Sequence, residues 1–100
     1  LDFIATDHAP HTLAEKAQTY PNTPSGMPGV ETSLPVMLTQ AMQGRCTVAQ
    51  VARWMSTAVA QAYGIPNKGA IAPGYDADLV LVDLNTYQPV RRQDLLTKCG

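Results

Sequence analysis

One carboxylate and two imidazoles crowd the start of this chain: Asp7, His8 and His11, in the run DFIATDHAPH that covers residues 2–11. An acid and a histidine placed this way can divide the work of a site, one moving a proton and the other binding substrate. The apolar run Phe3, Ile4, Ala5 leads through Thr6 into these groups. That is the pattern of a buried parallel strand delivering chemistry at its C-terminal tip, which in (β/α)8 barrels is the active-site face. Asp7 would stand at the tip and His11 four residues on, in a loop bent by Pro10, which also biases Ala9 towards extended backbone. Strand alternation would turn His8 away from Asp7, so His8 reads as a packing residue rather than a ligand.

Three blocks of the sequence carry a resemblance to a known family. The first is FIATDHAPHTLAEK, Phe3 to Lys16, continued by GMPGVETSLP from Gly26 to Pro35; the others are KGAIAPG, Lys68 to Gly74, and ADLVLVD, Ala77 to Asp83. In this order they closely resemble the dihydroorotases of the amidohydrolase superfamily. The Asp-His-Ala-Pro-His block is specific, whereas the Ala-Asp-Leu-Val block is shared widely among amidohydrolases. The resemblance implies an α/β fold: the C-terminal fragment of a metal-dependent (β/α)8 TIM barrel with a return to a small β-sandwich. Residues 1–66 would supply the last barrel strand, the active-site loop and the following helices. Residues 67–100 would supply strands of the composite sandwich domain.

The resemblance also implies the chemistry of the parent protein. Dihydroorotases reversibly hydrolyse the cyclic amide of dihydroorotate to N-carbamoyl-aspartate in pyrimidine biosynthesis, with one or two zinc ions. Amide cleavage at neutral pH needs an activated water and a polarised carbonyl, both of which a metal provides. Asp7 matches the family's strand-end aspartate, which touches the metal, takes a proton from the water and returns it to nitrogen. His11 matches the histidine that binds the substrate's carboxylate. Ser25 and Gly26 align with backbone contacts to the substrate, and a glycine there allows the main chain to approach a ligand closely.

The rest of such a metal site is absent from the sequence. There is no His-x-His pair and no third histidine, and one carboxylate with two imidazoles in a tight loop cannot readily converge as a tetrahedral set. Most zinc ligands would therefore lie outside these residues. The chain alone is expected to be inactive, with the remainder of the parent chain and the small-molecule substrate as its partners. Two other readings stay open. One is an allantoinase-type cyclic amidohydrolase, against which His11 in its Pro-His pair argues. The other is a non-catalytic dihydroorotase-like scaffold or assembly subunit.

Bulk properties narrow the field further. One hundred residues suit a small domain. The chain nevertheless opens at Leu1 in a strand approach and ends at Gly100 after a polar run, so it reads as a late slice of a barrel that needs roughly 250 residues. A formal charge of −1 with 15% charged residues forms no basic stripe for nucleic acid. No apolar run approaches the ~20 residues of a membrane span, and no signal peptide is visible. Cys46 and Cys99 are far apart and read as reduced thiols of a cytoplasmic protein. A homo-oligomer is compatible with all of this.

The elements that must position the candidate residues can be placed from pattern. Residues Thr12 to Pro28 are polar and turn-rich, a loop with one helical turn near Ala14 to Ala17, well placed to form a lid or wall of the site. Ser33 can cap a helix that tolerates Pro35 in its first turn, with Leu34, Met37, Leu38, Ala41 and Met42 at helical spacing and Gly44 as its stop. Met37 and Met42 read as core filler. Thr47 and Gln50 form a capping box for a second helix whose apolar face, Val48, Val51, Ala52, Met55, Val59, Ala62 and Tyr63, runs to Gly64. Trp54 would pack at the edge of that face. Lys68 to Ala72 and Ala77 to Asp83 read as two short strands joined by Pro73-Gly74, the second covered on both faces. Asp76, Asp78 and Asp83 read as turn and strand-end residues rather than a metal cluster.

Overall fold

The computed structural model describes residues 1–99. Its helices follow in the order α1 (Leu13–Lys16), α2 (Ser33–Met42), α3 (Val48–Ala52), a π-helical turn (Arg53–Thr57), α4 (Ala58–Ala62) and a 3-10 turn (Arg92–Asp94). Two compact units divide the chain. The first comprises Leu1–Ala5 and Pro35–Thr86; the second comprises Thr6–Leu34 and the residues from Tyr87 onward.

In the first unit, α3 starts where its capping box places it. Thr47 is extended, its Oγ1 accepts the Gln50 N–H at 3.1 Å, and the Gln50 side chain accepts the Thr47 N–H at 2.8 Å. Two of the four orphan N–H groups of a helix start are involved in such a box. The helix that follows is not a single α-helix. At Arg53–Thr57 the turn widens, and the Ala58 N–H reaches back five residues to the Arg53 carbonyl. A widened turn takes one more residue than an α-turn, so the apolar stripe changes phase. Val51, Ala58 and Ala60 are the buried hydrophobic residues, while Val59 is half-buried and Ala62 and Tyr63 are exposed. This corrects the stripe expected from an unbroken 3.6-residue period. Trp54 is half-buried, and its carbonyl accepts the Ile4 N–H at 3.0 Å.

Gly69 packs on this widened turn. Thr57 Oγ1 donates to the Gly69 carbonyl at 2.6 Å, and a Cβ at Gly69 would lie 2.9 Å from Thr57 Cα. With φ at +83°, only glycine suits the position. The two helix stops are alike. At Gly44 and Gly64, both left-handed, the glycine N–H bonds three residues back (to Ala41 and Gln61) and the next N–H bonds five residues back (to Gln40 and Ala60). That pair of bonds is the Schellman arrangement. Along α2, Leu34, Met37, Leu38 and Ala41 are half-buried at helical spacing, while Met42 is 59% exposed. Ser33 is not the cap of α2. It is the first helical residue, and its hydroxyl donates to the Val30 carbonyl at 3.3 Å instead of accepting from the helix.

The described residues contain no β-strand, so the ladders expected at residues 3–5, 68–72 and 77–83 are not made within them. A strand requires a second extended segment to share its main-chain hydrogen bonds, and none of these three segments exchanges a ladder with another. Leu79, Val80 and Leu81 are 64%, 74% and 101% exposed, so the described residues do not cover that apolar run. Asp83 does close a turn: its carboxylate accepts from the Asn85 N–H at 2.9 Å and the Thr86 hydroxyl at 2.5 Å. These bonds, Thr86 first, hold its pKa below the usual carboxylate value. Lys68 pairs with Asp78 and, at 2.9 Å, with Asp76; both carboxylates raise its pKa, Asp78 more strongly. No helix among the described residues is long and apolar enough to cross a membrane.

Candidate active-site loop

Every sequence-predicted site residue lies in the second unit. The backbone turns left-handed at Asp7, where φ is 45°. Aspartate tolerates this conformation better than most residues because its short side chain is polar. The turn breaks strand alternation, so His8 is not set opposite Asp7 by a pleat. The Asp7 carboxylate is exposed and makes no hydrogen bond or ion pair among the described residues.

His8 is a hydrogen-bond acceptor. Its Nδ1 receives two successive N–H groups, Gly29 and Val30, each at 3.2 Å. An imidazole nitrogen that accepts carries no proton, so Nε2 bears the hydrogen of the neutral ring. One residue on, the Ala9 N–H donates to the Met27 carbonyl at 3.1 Å. Gly26 seats directly on Ala9: a Cβ there would stand 2.7 Å from Ala9 Cβ, and φ is +86°. Gly29 is likewise close to Thr6, at 3.2 Å for an added Cβ. The loop from Gly26 to Val30 is thus laid along residues 6–9.

His11 is half-buried, and its N–H turns back to the Ala9 carbonyl at 3.1 Å across Pro10. The residue after it opens α1. Thr12 and Glu15 form a complete capping box, with the Thr12 N–H on Glu15 Oε2 at 2.6 Å and the Thr12 hydroxyl on the same oxygen at 3.0 Å. Those bonds depress the Glu15 pKa, with smaller help from His11 and Lys98. The charged Glu15 carboxylate lies 3.8 Å from His11 Nδ1. The Thr-x-x-Glu signature was present in the sequence, and it was the one signal that could have located the start of α1.

Lys16, in the last turn of α1, is the residue that pattern reading missed. Its Nζ donates to the Pro24 carbonyl at 2.8 Å and the Gly26 carbonyl at 2.6 Å, bracketing Ser25. Ser25 and Gly26 are exposed. The structure therefore brings Gly26 against the residues between Asp7 and His11. No side-chain bond joins Asp7, His11 and Ser25 among the described residues.

Metal-ligating capacity is limited. No group of three or more His, Cys, Asp or Glu side chains that could hold a metal occurs among the described residues. Asp7 offers one carboxylate with suitable chemistry for a divalent cation; His8 Nδ1 is occupied by its two N–H donors.

Proteins named dihydroorotase are similar over almost all of this chain. A protein named dihydroorotase from Halobacterium salinarum is 46% identical over 99 residues, covering 99% of this chain and 24% of that protein. Its namesakes from Methanosphaera stadtmanae and Bacillus caldolyticus are 39% and 38% identical, covering 97% and 98% of this chain and 23% of each relative. The chain thus spans about a quarter of the length of the curated relatives it matches. Residues 1–98 match the Amidohydrolase family, and the chain, with its acid-bearing Asp7 turn laid against a glycine-rich loop, belongs to that family.

Proposed function

We propose that the protein of which this chain forms part is a dihydroorotase that interconverts dihydroorotate and N-carbamoyl-aspartate. The observation that carries the reading is the Asp-His-Ala-Pro-His segment, with its exposed Asp7 carboxylate, clasped against Gly26–Val30. Its similarity to proteins of that name over nearly the whole chain supports it. In the proposed organisation, residues 1–66 form the last barrel strand, active-site loop and following helices. Residues 67–100 belong to the sandwich. Extended runs such as Leu79–Val82 would then complete their ladders with segments elsewhere in the protein, including the remainder of the parent chain.

In this reading Asp7 takes the proton of the attacking water and delivers it to the leaving nitrogen, so the amide departs as a neutral group. Its carboxylate is exposed and has no competing hydrogen bond among the described residues. Asp7 is also the ligand this chain would contribute to a zinc centre. Zinc, when bound there with ligands from elsewhere in the protein, supplies Lewis acidity for amide hydrolysis. His11 binds the substrate carboxylate as an imidazole donor, and its Nδ1 lies 3.8 Å from the Glu15 carboxylate. Ser25 and Gly26 present main chain to the substrate. The setting is the cytoplasm, with no nucleic acid or membrane as partner.

The decisive experiment assays the metal-replete full-length protein with dihydroorotate, with N-carbamoyl-aspartate and, in parallel, with allantoin. Turnover of the first two and not of the third is expected. Turnover of allantoin alone would reassign the protein to a different cyclic amidohydrolase. No turnover of any of them by a metal-loaded protein would make it a scaffold.

A further inference from the structure

We infer that Lys16 and His8 are positioning residues that clamp the loop from Pro24 to Val30 at its two ends, and so set the direction in which the N–H groups of Ser25 and Met27 face. The inference rests on the reading of this loop as the substrate-binding wall.

Peptide geometry fixes the consequence of the Lys16 contacts. Nζ holds the carbonyls of Pro24 and Gly26 at 2.8 and 2.6 Å. In a trans peptide the carbonyl and the following N–H point in opposite directions. With both carbonyls drawn to one ammonium, the N–H groups of Ser25 and Met27 are turned away from it. Neither donates to another group among the described residues. Two like-facing main-chain donors on either side of Gly26 suit an anionic or carbonyl oxygen.

The other end of the loop is held independently. His8 Nδ1 accepts from Gly29 and Val30, and Ala9 N–H bonds Met27 O. Lys16 is itself placed by the capping box, because Thr12 and Glu15 set where α1 begins and hence where its last turn points. The loop is thereby indexed to the residues that flank both Asp7 and His11. A loop without these ties would have to be ordered anew at each binding event.

The test uses the full-length protein and four variants. Lys16→Met keeps the aliphatic stem and removes the donors, and Lys16→Arg restores them. His8→Ala removes the acceptor, and His8→Asn replaces it with an amide oxygen near the place of Nδ1. Lys16→Met is expected to raise the KM for dihydroorotate about tenfold, as loss of a charge-assisted contact would, while kcat stays within about threefold. Lys16→Arg should recover most of the loss. Hydrogen exchange of residues 24–30 should speed up in Lys16→Met and His8→Ala, and return towards wild type in Lys16→Arg and His8→Asn. Unchanged exchange in Lys16→Met and His8→Ala overturns the clamp. A wild-type KM in Lys16→Met, or an equal loss in kcat and thermal stability without rescue by arginine, also overturns it, the latter by showing a merely structural role. If the wild-type protein does not act on dihydroorotate, the functional reading fails, and exchange across residues 24–30 alone decides the clamp.

Discussion

Replacing Gly26 by alanine should open the loop that lies against residues 6–9, by an amount the geometry sets. Two costs add. At φ +86° an alanine sits in the left-handed region, which penalises a residue with a Cβ by roughly 1–2 kcal/mol. The new methyl would also stand 2.7 Å from Ala9 Cβ. Carbon atoms in comfortable contact rest about 3.5–4.0 Å apart. Either the loop or Ala9 must retreat by about 1 Å, and overpacking of this kind costs about 1–3 kcal/mol. The sum is about 2–5 kcal/mol. Gly44 is the control, since its φ is +74° but nothing lies within 4 Å of an added Cβ. It bears only the first cost.

The assay is amide hydrogen exchange of the full-length protein at the N–H groups that tie the loop down: Ala9 on Met27, and Gly29 and Val30 on His8. At about 1.4 kcal/mol per tenfold, Gly26→Ala should accelerate these amides from about thirtyfold to a few thousandfold. Gly44→Ala should accelerate only the amides of Gly44 and Arg45, and by far less. Wild-type exchange at Ala9, Gly29 and Val30 in Gly26→Ala, or equal costs for the two alanines, would refute the close-approach argument.

Three further outcomes are expected of the full-length protein. Asp7→Asn should lower kcat by about 10²–10⁴-fold, measured with metal content in parallel; asparagine keeps the shape and tolerates the φ of 45°, so near-normal turnover in a metal-loaded variant would remove Asp7 from proton transfer. His11→Ala should act mainly on KM, by about 1.5–3 kcal/mol, with metal retained; metal loss with a flat KM would instead make His11 a ligand. Glu15 supplies a pH dependence. Because its folded pKa lies below its ordinary value of 4.5, the capping box contributes fully above that value and weakens as pH falls through the lowered one. Protection of the Thr12 and Lys16 amides relative to their intrinsic exchange rates, followed from about pH 6 to about pH 2, should fall in that window and lose this step in Glu15→Gln.

Some of this protein is written in short stretches of its sequence. The Thr47–Gln50 box, the stops at Gly44 and Gly64, the stripe Leu34, Met37, Leu38 and Ala41, and the turn at Asp83 all appear where pattern places them. Each involves residues no more than a turn or two apart, so neighbouring side chains and backbone sterics decide them whatever the rest of the fold does. The Thr12–Glu15 box belongs to the same class and was equally legible. The motif around Asp7 is local too, and it identified the family. Ser33 shows the limit even at short range: its hydroxyl had a choice between capping α2 and bonding Val30, and sequence alone does not rank the two.

Tertiary structure decided what depends on distant partners. The π-helical turn that moves burial to Ala58 and Ala60 is bound up with Gly69, whose carbonyl Thr57 holds. His8 became an acceptor for amides 21 and 22 residues away once Asp7 left the extended conformation. Lys16 could find the Pro24 and Gly26 carbonyls only after the loop had folded back on α1. The strand patterns at residues 3–5, 68–72 and 77–83 went unfulfilled for the same reason. An apolar, β-branched run states that a segment would make a good strand, but a ladder exists only where a second segment supplies the matching N–H and C=O groups.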